Sequence, residues 1–208
     1  MSTTIPHVPF NGDTFIGPEI RRLVERFGIR TIIETGTWSA HSTREFAKMA
    51  KRVFTIDATH EHLIKEFGPD AKAQLPQNVT AVLGDSGLIL SKIVWGLGTM
   101  AHPILFYLDA HGGGANGTNV NPLLEEMRSL GALATVCGGR CVICIHDFLS
   151  PGKPWGYNGG DWGRGFEPLS YKLIEPMLRP IFPDGHQFHY NEQADGCQRG
   201  IIYIYPEE

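Results

Sequence analysis

The stretch that most constrains this chain is Thr31-Ile32-Ile33-Glu34-Thr35-Gly36-Thr37-Trp38-Ser39-Ala40-His41-Ser42-Thr43, an apolar run that ends in an acid and a glycine and passes at once into hydroxyl residues and a helical pattern. It predicts a strand, a tight turn and a helix. Gly36 can take a positive φ or let another group approach the backbone, and Ser39 or Ser42 can cap the helix that carries Phe46, Ala47 and Ala50. By itself the stretch also fits an ordinary buried strand and turn. Arg52-Val53-Phe54-Thr55-Ile56-Asp57 follows as a second strand, ending in an acid 21 positions after Gly36. That is the interval at which a nucleotide-binding unit places its ribose-holding carboxylate. No second glycine lies among Thr37, Trp38, Ser39 and Ala40, where a pyrophosphate would need one. The two strands together favour a nucleoside ligand without phosphate.

The rest of the chain repeats the alternation. Pro18 to Phe27 reads as an amphipathic helix with Ile20, Leu23, Val24 and Phe27 on its apolar face, preceded by a lead-in over residues 1–17. His60 to Ala73 has a helical pattern broken at Gly68-Pro69, and Val79 to Leu83 is a third strand whose Gly84-Asp85-Ser86 ending opens a helix through Ile93. Asp85 suits a helix cap as well as a ligand contact. Ile104 to His111 is a fourth strand, apolar on both faces as a central parallel strand must be, and it runs into the glycine-rich segment Gly112 to Gly117. Pro122 to Leu133 is the next helix, with Leu123, Met127, Leu130 and Ala134 at core spacing. Cys141 to Ile145 is a fifth strand that ends in His146-Asp147. Pro168 to Leu178 is the last helix, which Pro176 should end or kink; His186 to Tyr190 and Gly200 to Tyr205 are closing strands able to pair antiparallel.

Parallel strands deliver their C-terminal ends to one sheet edge, so Asp109, His111, His146 and Asp147 should converge there although they are distant in sequence. Carboxylates with neutral imidazole suit Mg2+, Mn2+ or another divalent ion; the alternative is a set of polar strand ends facing solvent. Directly after the fifth strand, Pro151 to Gly165 combines glycines with Trp155, Tyr157 and Trp162. Such aromatics are costly to leave in water, which favours a substrate lid over residues 148–166 rather than an insertion. Cys137, Cys141 and Cys144 have the spacing of an iron–sulfur ligand set, but on a strand Cys141 and Cys144 point to opposite faces and read as buried thiols.

Composition sets the outer limits. With 208 residues and 42% hydrophobic content, the chain can bury a core as a single domain over 1–208. No apolar stretch is long enough to span a membrane, and the N-terminus lacks a signal pattern, so the expectation is a soluble cytoplasmic protein. A net charge of −4 without a basic cluster argues against a nucleic-acid partner and for a small-molecule or glycan substrate; a homodimer stays open.

Glu34, Gly36 and Ala40 occupy the acid, glycine and small-residue positions of the first motif of class I S-adenosylmethionine-dependent methyltransferases, which the chain resembles from about residue 28 onward; Ala40 stands where that family more often has glycine. The resemblance implies an α/β fold of Rossmann-like three-layer α/β/α form, with a seven-stranded, mostly parallel sheet and a C-terminal antiparallel strand. It implies a methyl donor, S-adenosyl-L-methionine, held by Glu34, Gly36, Thr37, Trp38, Ser39 and Ser42, by Asp57 on the ribose, by Asp85 and Ser86 at the adenine, and by Asp109. It narrows to the metal-dependent O-methyltransferases of the catechol and macrocin types, which place one acid after the fourth strand and an acidic or amide pair after the fifth. Asp109 matches the first position; His146-Asp147 occupies the pair, with histidine in place of a carboxylate or amide. The implied chemistry is O-methylation with Mg2+ on Asp109, His146 and Asp147, His111 as general base with Asp109 beside it, and Trp155, Tyr157 and Trp162 over the substrate. The alternatives are another metal enzyme on this fold, hydroxylase-like or a hydrolase, and a nucleoside-binding protein without chemistry.

Overall fold

The computed structural model describes residues 8–67, 75–97, 103–110, 122–132, 139–155 and 169–207. Seven strands form one sheet: β1 (Thr31–Thr35), β2 (Arg52–Asp57), β3 (Val79–Leu83), β4 (Ile104–Leu108), β5 (Cys141–His146), β6 (His186–Tyr190) and β7 (Ile201–Pro206), in the order β3-β2-β1-β4-β5-β7-β6. The first five are parallel to one another, and β7 runs antiparallel to both β5 and β6. The strand order reverses between β1 and β4, so the C-terminal ends of those two strands flank the crevice where sheets of this kind take ligands.

β1, β4 and β5 are buried along their whole length because both faces are covered, which is why they read as unbroken apolar runs. On one face lie α1 (Ile16–Arg26) and α2 (His41–Met49), packed on Ile32, Leu105, Val142 and Cys144 through Ile20, Leu23 and Phe46. On the other lie α4 (Ser86–Leu97), α5 (Leu123–Ala132) and α6 (Tyr171–Ile181), packed on Ile33, Phe106, Cys141 and Ile143. Cys141 and Cys144 thus face opposite layers, as strand alternation requires. A further helix, α3 (His60–Phe67), follows β2. Among the described residues, no helix is long and apolar enough to cross a membrane.

Three local expectations are corrected. Helix α1 begins at Ile16 rather than Pro18, because Asp13 Oδ1 accepts the Phe15 N–H at 2.8 Å and Ile16 is driven fully into the core. Neither Ser39 nor Ser42 caps α2; Ala40 stands at that position with φ 52°, and Ser42 Oγ instead accepts the Phe10 N–H at 3.1 Å. Helix α6 continues through Pro176 and Pro180 to Ile181. Each internal proline costs roughly 3 kcal/mol, while Ile174, Leu178 and Ile181 bury completely, worth roughly 1.5–3 kcal/mol apiece. Burial of that stripe is of the same size as the cost of the two prolines, so the helix can continue through them.

Candidate functional site

The site begins at the turn after β1. Glu34 is 1% exposed, and its Oε2 accepts the hydroxyls of Thr43 on α2 at 2.5 Å and of Thr55 on β2 at 2.7 Å; Thr37 and Thr55 share a further hydroxyl contact at 2.6 Å. Burial pushes the Glu34 carboxyl up to about 8, against the pull of the two threonine hydroxyls, with Asp109 and Asp57 raising it further. This acid therefore braces the turn from inside, tying β1 to β2 and α2. Gly36 sits at φ 83°, its N–H bonded to Ile56 O at 2.8 Å, and a Cβ there would lie 2.5 Å from the carbonyl oxygen of Asp109. The turn is pressed against the end of β4, a contact only glycine permits. Trp38 and Ala40 hold φ values of 38° and 52°, unusual for side-chain-bearing residues, and such strain gathers at ligand-holding turns. Ala40, at the position where the resembling family more often has glycine, is left-handed in this chain.

Asp57 closes the next part of the rim. Its Oδ2 accepts the Trp38 N–H at 3.0 Å, its Oδ1 accepts the Thr59 N–H at 2.7 Å, and His62 Nδ1 lies 3.2 Å from both oxygens. A carboxylate has about four lone-pair sites, so acceptor capacity remains for an incoming hydroxyl. Asp85 is exposed, and its Oδ1 accepts the Gly87 N–H at 2.9 Å as a cap of α4; Ser86 is buried beside it. Ser39 is partly exposed on the same turn as Trp38, while Ser42 faces Phe10.

The second half of the site lies at the ends of β4 and β5. Leu108 pairs with Ile145, so Asp109 and His146 come side by side, and His146 Nδ1 is 3.1 Å from Asp109 Oδ1. Asp147 follows at φ 55°, its Oδ1 3.6 Å from His146 Nδ1 and 3.5 Å from Arg199 Nε. Ligand atoms from Asp109, His146 and Asp147 all lie within 4.8 Å of one another; His146 and Asp147 are each only 2% exposed, and Asp109 is partly open to solvent. Two carboxylates and an imidazole so placed match a divalent ion in charge and donor type. Arg199, partly exposed, supplies a positive charge to Asp147, and Asn191 helps place it by donating to Arg199 O at 3.2 Å. Sequence reading missed Arg199, since nothing local links a residue before β7 to one after β5.

Of the other expected site residues, His111, Tyr157 and Trp162 lie outside the described residues. Trp155 is partly buried, with Lys153 Nζ 5.4 Å from its ring centroid. The two ends of the segment around it are joined, Leu149 N–H donating to Leu169 O at 3.1 Å. Its start is pinned to the β6–β7 connection by Ser150 Oγ on Asn191 Oδ1 at 3.0 Å and by Lys153 on Glu192 at 2.8 Å.

No family model matches the sequence, and no curated protein matches it. Solved structures match its fold. An O-methyltransferase from Bacillus cereus in complex with SAH shares 16% identity and a TM-score of 0.54, over 92% of this chain and 80% of the other. TomG, an O-methyltransferase from Streptomyces achromogenes involved in tomaymycin synthesis and solved with SAM, shares 14% identity and a TM-score of 0.54, over 91% and 78%. An rRNA methylase from Streptococcus thermophilus shares 11% identity and a TM-score of 0.52, over 90% and 94%. The chain has the Rossmann-like fold of class I S-adenosylmethionine-dependent methyltransferases.

Proposed function

We propose that this protein is an S-adenosylmethionine-dependent methyltransferase acting on a hydroxyl oxygen of a small molecule or glycan, with a divalent ion held by Asp109, His146 and Asp147. The observation that carries the reading is the contact of Gly36 with the Asp109 backbone, which sets the strained turn after β1 directly beside a carboxylate–imidazole–carboxylate group. Fold neighbours described as O-methyltransferases, solved with SAM or SAH, support it.

In this reading Gly36, seated against Asp109, shapes the turn on which the donor rests, Asp57 accepts a hydrogen bond from its ribose, and the first turn of α4, with Asp85 and Ser86, borders its adenine. Glu34 keeps that turn in register from beneath. Methyl transfer needs the acceptor oxygen in line with the departing sulfur, and chain groups fixed on two adjacent strand ends provide that orientation. A bound Mg2+ would supply a Lewis acid that lowers the acceptor hydroxyl's pKa. His111 is the proposed proton acceptor, and Trp155, with Tyr157 and Trp162, would cover the acceptor. Calorimetric titration with S-adenosylmethionine and S-adenosylhomocysteine, with and without Mg2+, tests the reading. Micromolar or tighter binding is expected, and binding of neither compound removes it.

A further inference from the structure

The helices that cover the sheet turn charged side chains to solvent: Glu25 on α1, Lys48 on α2, Arg128 on α5, and Lys172 and Glu175 on α6 are all exposed. Helix α4 differs. Its outward face shows Leu88, 66% exposed, and Trp95, 62% exposed, with Lys92 the only charge in the helix, while Leu90 and Val94 on its inner side are fully buried. Among the described residues, Leu88 and Trp95 are the only large apolar side chains within a helix that stand exposed. A helix that is apolar on its inner and outer sides alike is ordinarily covered on both. Asp85, Leu88, Lys92 and Trp95 follow one another at intervals of three, four and three residues, so they form one stripe along the outside of the helix. Leu83, 48% exposed, ends the edge strand β3 two residues before Asp85 and adds a further apolar group at that end.

We propose that this stripe is the contact face of a homodimer, in which α4 packs antiparallel on α4 of a second copy about a two-fold axis near Leu88. The charges select that occupant and that orientation. Asp85 and Lys92 lie seven residues apart, about 10.5 Å along the helix axis. Among the described residues neither takes part in an ion pair, and Asp85 Oδ1 accepts the Gly87 N–H at 2.9 Å within its own helix turn. An antiparallel two-fold brings each Asp85 to Lys92 of the second copy, and it does so twice because the contact is isologous. It also sets the two Leu88 side chains together near the axis and lays each Trp95 towards Leu83 of the second copy. A parallel pairing would instead oppose Lys92 to Lys92 and Asp85 to Asp85, which like charges disfavour. The stripe is thus complementary to itself in one orientation, with an aromatic anchor of the kind that interfaces concentrate. No donor contact enters this inference, so it stands apart from the methyltransferase reading.

The test is sedimentation velocity of the full chain across the micromolar range, with circular dichroism to confirm the fold of each variant. Wild type is expected to dimerise in that range. Trp95→Glu and Leu88→Glu should each weaken the dimer by at least about thirtyfold, the scale of an interface hot spot. Lys92→Glu opposes two acids in place of an ion pair and should weaken it by about tenfold, with the effect shrinking as salt is added. Phe188→Ser removes the exposed aromatic of β6, at the opposite edge of the sheet, and should leave the dimer unchanged. A wild type that stays monomeric throughout, or a dimer that survives both Trp95→Glu and Leu88→Glu, overturns the proposal. A dimer broken by Phe188→Ser and untouched by Trp95→Glu overturns it in favour of the β6 edge, and a dimer as tight in Lys92→Glu as in wild type overturns the antiparallel pairing.

Discussion

Replacing Glu34 by glutamine should make the protein more stable as the pH rises. The Glu34 carboxyl is raised from 4.5 to about 8, chiefly by burial. Between those values the folded state holds a proton that the unfolded chain releases, so folding stability is fully present below about pH 4.5 and falls as the pH climbs towards about 8. At 1.36 kcal/mol per unit, the interval amounts to an upper figure of about 5 kcal/mol. Glutamine never ionises, and its amide oxygen can accept the Thr43 and Thr55 hydroxyls that Glu34 Oε2 accepts. The gap between variant and wild type should therefore widen with pH in favour of glutamine. Glu126, raised to about 7 by burial, titrates in an overlapping window, so wild type and variant must be subtracted at each pH to isolate Glu34. Urea unfolding followed by tryptophan fluorescence from about pH 5 to about pH 8 measures this directly. Parallel stability curves for the two proteins would refute a buried, neutral Glu34.

Gly36→Ala should lower stability by roughly 2–4 kcal/mol, combining the cost of a left-handed alanine with the approach of its Cβ to Asp109 O at 2.5 Å; an unchanged urea midpoint would count against the close contact. Asp57→Ala should weaken S-adenosylhomocysteine binding by about 1.5–3 kcal/mol, the range for hydrogen bonds to a charged group, as read by calorimetry. Undiminished affinity in a folded variant would take the ribose role from Asp57. Asp109→Asn and Asp147→Asn should each abolish Mn2+ binding followed by paramagnetic resonance, whereas His146→Ala should weaken it by roughly tenfold or more. A wild-type dissociation constant for His146→Ala would leave the imidazole as a hydrogen-bond partner of Asp109 alone.

Much of this architecture is legible in sequence because its determinants are local. An apolar run ending in an acid marks β1, β2, β4 and β5, and the separation of Gly36 from Asp57 reflects one strand–helix–strand unit. Even the opposite facing of Cys141 and Cys144 follows from strand alternation. Failures came where a tertiary contact overrode a local rule. Ser42 has the right chemistry for a helix cap, but its hydroxyl serves Phe10, a residue 32 positions away. Pro176 obeys its local rule in isolation and loses to the burial of Ile174 and Leu178. Within the site, Asp109, His146 and Asp147 are readable as strand ends, while Arg199 is not. Its role depends on which strands are neighbours, and in particular on β7 inserting beside β5.

The central claim is that the turn at Gly36 and the Asp109–His146–Asp147 group serve one reaction site. Proton relaxation of S-adenosylhomocysteine in the presence of the protein and Mn2+ tests it most directly, because paramagnetic broadening falls steeply with distance. Strong broadening of the protons beside sulfur is expected with wild type, and its loss with Asp147→Asn. If calorimetry showed both ligands bound to wild type while those resonances stayed sharp, donor and ion would occupy separate sites and the account would be contradicted.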